Sequence, residues 1–180
     1  MKYLILSDIH GSLPRLRQVM DFYESNGYDL LVILGDILNY GPRNGVPDGL
    51  DAPGIAALLN MHTDHIVAIR GNCDSEVDQM LLDFPCMGDY AMLVVEGKRI
   101  FLTHGHRFND GNLPKGIDAF FQGHTHLHKL ERAGDVLVLN TGSITFPKNG
   151  NEPTFATIDG ATVRLRRLDG SVLKELSLAE

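Results

Sequence analysis

Short apolar runs, each closed by glycine and polar residues, recur along this chain. KYLILS (residues 2–7) leads into Asp-Ile-His, DLLVIL (29–34) into Gly-Asp, and HIVAI (65–69) into RGNCDSE (70–76). Apolar runs of this kind, bounded by turn signals, predict buried strands. Between the first two runs, Leu13, Leu16, Val19, Met20 and Tyr23 fall at helical spacing, with Ser12 as the expected N-cap and Gly27 as the stop. A second helix is expected over about residues 51–62 (DAPGIAALLNMH). Strands alternating with helices in this order imply βαβ units and a sheet that begins parallel.

The second half has a different texture. After a short helix at SEVDQMLL, with Met80, Leu81 and Leu82 expected on its buried side, strand patterns dominate. They run through YAMLVVEG, RIFLTHG, DAFFQGHTH, HKLERAGDVLVLN and TFATIDGATVRLRRL, with hairpin turns expected at Gly97-Lys98, Gly134-Asp135 and Asp159-Gly160. Parallel units followed by a meander predict an α/β fold: two packed mixed β-sheets flanked by helices, in one domain over residues 1–180.

Composition narrows the class. With 43% apolar and 22% charged residues in 180, the chain is expected to be a soluble globular protein with its own core. No apolar run approaches the ~18 residues of a membrane span, so no membrane partner is expected. A carboxylate at position 8 comes too early for a secretory leader. A cytoplasmic location is therefore expected, with Cys73 and Cys86 as reduced thiols. The excess of 23 Asp+Glu over 16 Lys+Arg, net −7, disfavours a grip on long nucleic acid. Bound divalent cations would add local positive charge that this count omits.

The polar clusters carry the chemistry. Asp8 and His10 follow the first run, Gly35-Asp36 the second and Gly71-Asn72 the third, while His104-Gly105-His106 follows IFLT and Gly123-His124-Thr125-His126 follows AFFQ. A lone Gly-Asp after a strand is mostly a turn, and a lone loop histidine is mostly solvated. Five such clusters are another matter, since ligand groups of open α/β sheets gather beyond the carboxyl ends of strands. Six of the eight histidines (His10, His104, His106, His124, His126, His128) fall in or beside these clusters.

The series DIHG, GDILN, GNCD, THGH and GHTH, in this order, resembles the calcineurin-like metallophosphoesterase superfamily. The stretches GDILNYGPRN, RGNCDSEVDQM and NTGSITFPK are similar to its small bacterial phosphodiesterases of the YfcE type. The resemblance implies an α/β/β/α sandwich and a binuclear centre. Asp8, His10, Asp36 and His126 would hold one metal ion, and Asp36, Asn72, His104 and His124 the other, with Asp36 shared. It further implies Mn²⁺ as activator; the imidazole, carboxylate and amide donors suit Fe²⁺ or Zn²⁺ as well. The implied activity is hydrolysis of a small phosphodiester by a water or hydroxide bridging two divalent cations.

Other residues are expected around that centre. Asp74 either supports a ligand by hydrogen bonding or caps the helix at SEVDQM. Cys73 stands where much of the superfamily has His; a thiol of pKa ~8.5 is a poor substitute for an imidazolium acid. A preference for diesters with good leaving groups follows, unless Cys73 only packs. Asn39 and Arg43 are expected to face the substrate phosphate, the arginine as a bidentate fork. His106 either orients the His104 loop or approaches the leaving group. The alternative activities are a phosphomonoesterase or nucleotide hydrolase on the same site, or a non-catalytic scaffold of the same fold, which should have shed ligand types that all seven positions here keep. Antiparallel edge strands in the second half could pair two copies into a homodimer.

Overall fold

The structure, a computed structural model, describes residues 1–179. Its first half follows the expected units: β1 (Lys2–Leu6), α1 (Leu13–Ser25), β2 (Leu30–Ile33), α2 (Ala52–Asn60) and β3 (Ile66–Ala68), with all three strands parallel. After the short α3 (Glu76–Leu81) come β4 (Tyr90–Val95), β5 (Lys98–Thr103), β6 (Ala119–Gln122), β7 (Lys129–Ala133) and β8 (Val136–Asn140). The chain closes with β9 (Thr154–Asp159), β10 (Thr162–Arg167) and β11 (Val172–Ser177).

Two mixed sheets result, as expected for the α/β sandwich. The six-stranded sheet has the order β11-β10-β9-β1-β2-β3 and the five-stranded sheet β4-β5-β6-β8-β7. Alternation along the central strands explains the packing. Leu4, Leu6, Leu31 and Ile33 point to the helices and meet Leu16, Met20, Ile55 and Leu59. Tyr3, Ile5, Val32 and Leu34 point the other way, against Ile100, Leu102, Phe121 and Leu139 of the second sheet. Strands covered on both faces need apolar side chains at every position, which is why these runs are continuous. Among the described residues no helix packs on the outer face of the second sheet: Tyr90, Phe101 and Phe120 stack there, and Phe108, from the connection after β5, lies edge-on to Tyr90 and Phe101.

Several expectations need correction. The second half is not a simple meander, because β5, β6 and β8 run parallel to one another. The β5–β6 crossover contains no helix, so no 3.6-residue period announces it. The last strand, β11, lay outside the expected set; its exposed Lys174 and Glu175 mask the apolar alternation. Two turns shift by one residue, to Glu96-Gly97 (φ 51° and 76°) and Gly160-Ala161. Met80 and Leu81 are exposed and only Leu82 is buried. Ser12 occupies the N-cap of α1, but its hydroxyl donates to Asp48 O instead of capping.

Candidate metal centre

The chain ends its parallel strands where the two sheets meet, and there the five clusters converge. Asp8 follows β1, Asp36 β2, Asn72 β3, His104 β5 and His124 β6, with His126 two residues on. The connections are stitched together by backbone hydrogen bonds: Asp8 N–H to Gly35 O (3.0 Å), His10 N–H to Asp36 O (2.9 Å) and Gly123 N–H to His104 O (2.8 Å).

Five of the seven candidate ligands adopt left-handed backbone: Asp8 (φ 54°), His10 (50°), Asp36 (56°), His124 (67°) and His126 (61°). Such angles are uncommon outside glycine and persist only where the surroundings over-determine them. Two glycines show why. A Cβ at Gly71 would overlap the Asp36 carboxylate, and one at Gly123 would overlap the Ser7 hydroxyl and the Asp8 carboxylate.

The donor atoms are aimed with equal care. His10 Nδ1–H donates to Asn39 O (3.0 Å), His104 Nδ1–H to Leu34 O (2.6 Å) and His126 Nδ1–H to Phe146 O (2.7 Å). A carbonyl only accepts, so each Nδ1 keeps its proton and each Nε2 presents a lone pair inward. Those lone pairs face other acceptors. His126 Nε2 lies 3.1 Å from Asp8 Oδ1 and 3.1 Å from His10 Nε2; His104 Nε2 lies 3.3 Å from Asp36 Oδ2 and 3.1 Å from Asn72 Oδ1. Asp8 Oδ1 is buried with no hydrogen-bond partner. Acceptors packed against acceptors in a buried site need positive charge between them, from protons or from cations. The residues fit a metal centre.

Protonation follows the same logic. Burial alone would lower the His104 pKa, but the charges of Asp8 and Asp36 outweigh it and push it up to about 9. Burial would likewise raise Asp8, yet His104, His10 and His126 hold its carboxyl well below the usual range. Asp36 is held low, against its burial, by His104 and by the Cys73 N–H, which donates to Oδ1 at 2.8 Å.

Asp8, His10 and His126 form one tight group, and Asp8, Asp36 and His104 another, each with ligand atoms within 4.8 Å of one another. Asn72 joins the second group through its amide oxygen. His124 is the looser member: its ring lies 5.1 Å from that of His104 and is part-exposed, while its N–H donates to Asp8 Oδ2 (2.9 Å). Cys73 falls in a third group with His10 and Asp36. Its thiol is nevertheless pushed up to about 12 by burial and by Asp36, so it stays protonated, and its sulfur packs against Gly41. Asp74 settles as a support: Oδ2 accepts from Asp36 N–H (2.8 Å) and Gly71 N–H (2.7 Å), and Oδ1 from Ile37 N–H (2.8 Å). Helix α3 is capped instead by the reciprocal pair Ser75 and Asp78. Burial pushes the Asp74 carboxyl up to about 6 against the pull of those donors. His106 lies beside the rings of His104 and His124 (5.4 and 6.1 Å) with a buried, unpartnered Nδ1, and burial lowers its pKa.

A cavity of about 640 Å³ opens over this floor, with Asn39, Arg43, Asn44, Thr125 and Lys148 around its walls. The supports on the far side were not evident from sequence. Ser7 donates to Asp8 Oδ2 and contacts Thr141 Oγ1 (2.9 Å); Ser143 donates to Asp8 O (2.8 Å), and Thr145 to Ile9 O (2.7 Å). The only signal available was the polar stretch NTGSITF itself, where every side chain but Phe146 and Ile144 is small or hydrogen-bonding.

Relatives place this geometry in a family. The model of the calcineurin-like phosphoesterase superfamily domain matches residues 1–162. The chain is 42% identical to phosphodiesterase YfcE of Escherichia coli K12 over 99% of its own length and 98% of that protein. The solved structure of E. coli YfcE, described as a phosphoesterase, superposes with a TM-score of 0.95 over 99% of this chain and 100% of that one, at 41% identity. Phosphodiesterase MJ0936 of Methanocaldococcus jannaschii is 26% identical over 79% of this chain and 83% of that protein. With its five clusters converging as the fold requires, the chain belongs to the calcineurin-like phosphoesterase superfamily.

Proposed function

We propose that this protein is a metal-dependent phosphodiesterase with two divalent cations at the floor of the cavity. Asp8, His10 and His126, with Asp36, would hold one ion; Asp36, Asn72, His104 and the outer His124 would hold the other. The single observation that carries this reading is the set of acceptor atoms, three Nε2 lone pairs and the Asp8 and Asp36 carboxylates, turned toward one another in a buried site. The two ions would supply Lewis acidity that makes water nucleophilic toward phosphorus and offsets charge on the phosphoryl oxygens. Mn²⁺ is the activator we favour from the resemblance; the donor set also suits Fe²⁺ or Zn²⁺, and affinity order alone would favour Zn²⁺.

The chain's own groups do the rest. Asp74 fixes the backbone of Asp36 and Gly71, and hence the position of the shared carboxylate. Asn39, on the loop after β2, lines the cavity where phosphoryl oxygens would sit, and Arg43, farther along the same loop, lines its wall. Water adds to phosphorus as the ester P–O bond breaks, yielding a phosphomonoester and an alcohol. Cys73 offers the departing oxygen only a thiol, a weaker acid than the imidazolium of a histidine at that position. Diesters with good leaving groups are the substrates this arrangement suits, and monoesters are turned over weakly.

The test is to strip the protein with a chelator, add back Mn²⁺, Fe²⁺ or Zn²⁺ singly, and assay bis(p-nitrophenyl) phosphate beside p-nitrophenyl phosphate. Activity should vanish on stripping and return with metal, in favour of the diester. Turnover that survives thorough chelation ends the metal reading. A monoester preference transfers the function to the phosphatase alternative.

A further inference from the structure

The cavity walls above the floor carry two cations and no anion. Arg43 comes from the loop after β2, and Lys148 from the segment after β8. The protein as a whole is acidic, net −7, and many of its basic side chains meet carboxylates: Arg70, Lys98, Arg107, Lys129, Arg164 and Arg167 all do so. Arg43 and Lys148 form no ion pair and no side-chain hydrogen bond among the described residues, although both border the site.

Their backbones are held while their heads are free. Lys148 N–H donates to His126 O (3.2 Å), two residues after Phe146 O accepts from His126 Nδ1, so the lysine stem starts at a fixed point beside a floor residue. The Arg43 loop is tied down by His10 Nδ1–H to Asn39 O (3.0 Å), by Gly41 N–H to Asn39 Oδ1 (2.8 Å) and by Asn44 Nδ2–H to Tyr40 O (2.8 Å). Among the described residues no aromatic ring beyond the imidazoles lines the cavity, so these walls offer charge and hydrogen bonds but no platform for stacking a base.

We infer that Arg43 and Lys148 form a two-sided anion clamp at the mouth, and that the preferred substrate is a small phosphodiester whose retained arm bears a second phosphoryl group. This rests on the phosphodiesterase reading above. The guanidinium offers a planar fork and the ammonium a mobile point charge, a pairing that suits a tetrahedral oxyanion at variable reach. The floor would take the diester and the mouth the second phosphate; nothing in the walls selects the group between.

A matched pair of chromogenic esters tests this: the 5′-(p-nitrophenyl) diester of thymidine 5′-phosphate, with and without a 3′-phosphate. The Mn²⁺-loaded enzyme should show kcat/KM about tenfold higher for the phosphorylated ester at low salt, carried by KM, with the advantage shrinking as ionic strength rises. Lys148→Glu and Arg43→Glu should each bring that ratio to one or below, by raising KM for the phosphorylated ester. A wild-type ratio at or below one overturns the inference, as does a ratio that survives both reversals; loss in only one variant overturns the two-sided clamp. Failure of metal-dependent turnover on the unphosphorylated ester would instead overturn the hydrolase reading itself.

Discussion

The floor and the mouth of the cavity are built on opposite plans. Asp8, His10, Asp36, His104 and His126 are at most 3% exposed, four of them in left-handed backbone, and each is tied by hydrogen bonds to a neighbouring loop. Arg43 and Lys148, on the walls of the same cavity, are exposed and carry charges with no partner among the described residues. The contrast separates two demands. Groups that hold charge at a reacting centre must be fixed before substrate arrives, because any reorganisation is added to the barrier. Groups that choose among substrate arms gain more from reach than from rigidity, and their contribution is screened by solvent.

That contrast is most sharply tested at Asp36. Asp36→Asn removes the anion that both candidate groups share while leaving its size, so turnover in saturating Mn²⁺ should fall on the order of 10³-fold, with loss of bound metal by elemental analysis. Near-wild-type kcat in that variant would mean that the floor is not organised about one shared carboxylate.

Protons and cations should compete for the floor, and the sign can be fixed. His104 has its pKa raised from 6.5 to about 9 in the folded, metal-free protein. Its protonation therefore stabilises the fold fully below pH 6.5, and that contribution, about 3 kcal/mol, is lost as pH rises through 9. Metal binding displaces this proton, so the apparent affinity for Mn²⁺ should tighten by about tenfold per pH unit between those limits. Calorimetry of the stripped protein across pH 6.5–9 checks both halves. Affinity that is flat with pH would place the proton elsewhere.

Asp74→Asn probes the support beneath the floor. The carboxylate accepts from three backbone N–H groups; an amide can accept for Asp36 and Gly71 but turns its own NH₂ toward Ile37 N–H. A buried donor facing a donor costs about 2 kcal/mol, read as a lower urea midpoint at unchanged m. Metal affinity should weaken with it, because the αL turn at Asp36 loses its brace.

How much of this was legible follows the same division. The floor was readable because each ligand sits at a fixed place in a pattern, after an apolar run and beside a glycine, and sheet geometry then forces convergence. What the pattern omits is support: Asp74's three donors, Ser7 under Asp8 and the Ser143–Phe146 strap are hydrogen bonds between segments far apart in sequence. The parallel pairing of β5, β6 and β8 was missed for a related reason, since their crossover carries no helical period. Met80 and Leu81 misled because a six-residue helix buries too little to orient itself by its apolar residues; its end is held by Asn60 Nδ2–H to Leu81 O (2.9 Å). Arg43 could be suspected from its loop, whereas Lys148, although it closes the stretch NTGSITFPK, carries no ligand-type signal that ties it to the Arg43 loop over a hundred residues earlier.

The mildest perturbation falls on the hinge between floor and mouth. Gly41 adopts φ +74°, and a Cβ there would lie 2.8 Å from Cys73 Sγ, which is itself anchored by the Cys73 N–H to Asp36 hydrogen bond. Cys73 is thus the post on which the Arg43 loop rests. Gly41→Ala must accept left-handed strain of about 1 kcal/mol and push the loop off the sulfur. The floor keeps all its own hydrogen bonds, so kcat for a simple diester should change less than twofold, while KM for the phosphorylated ester should rise about threefold as Arg43 moves outward. Adding Cys73→Ala to that variant makes room for the new methyl and should return part of the lost KM. If instead kcat falls and KM holds, the loop and the metal floor move as one body, and the division between fixed chemistry and adaptable recognition does not exist in this protein.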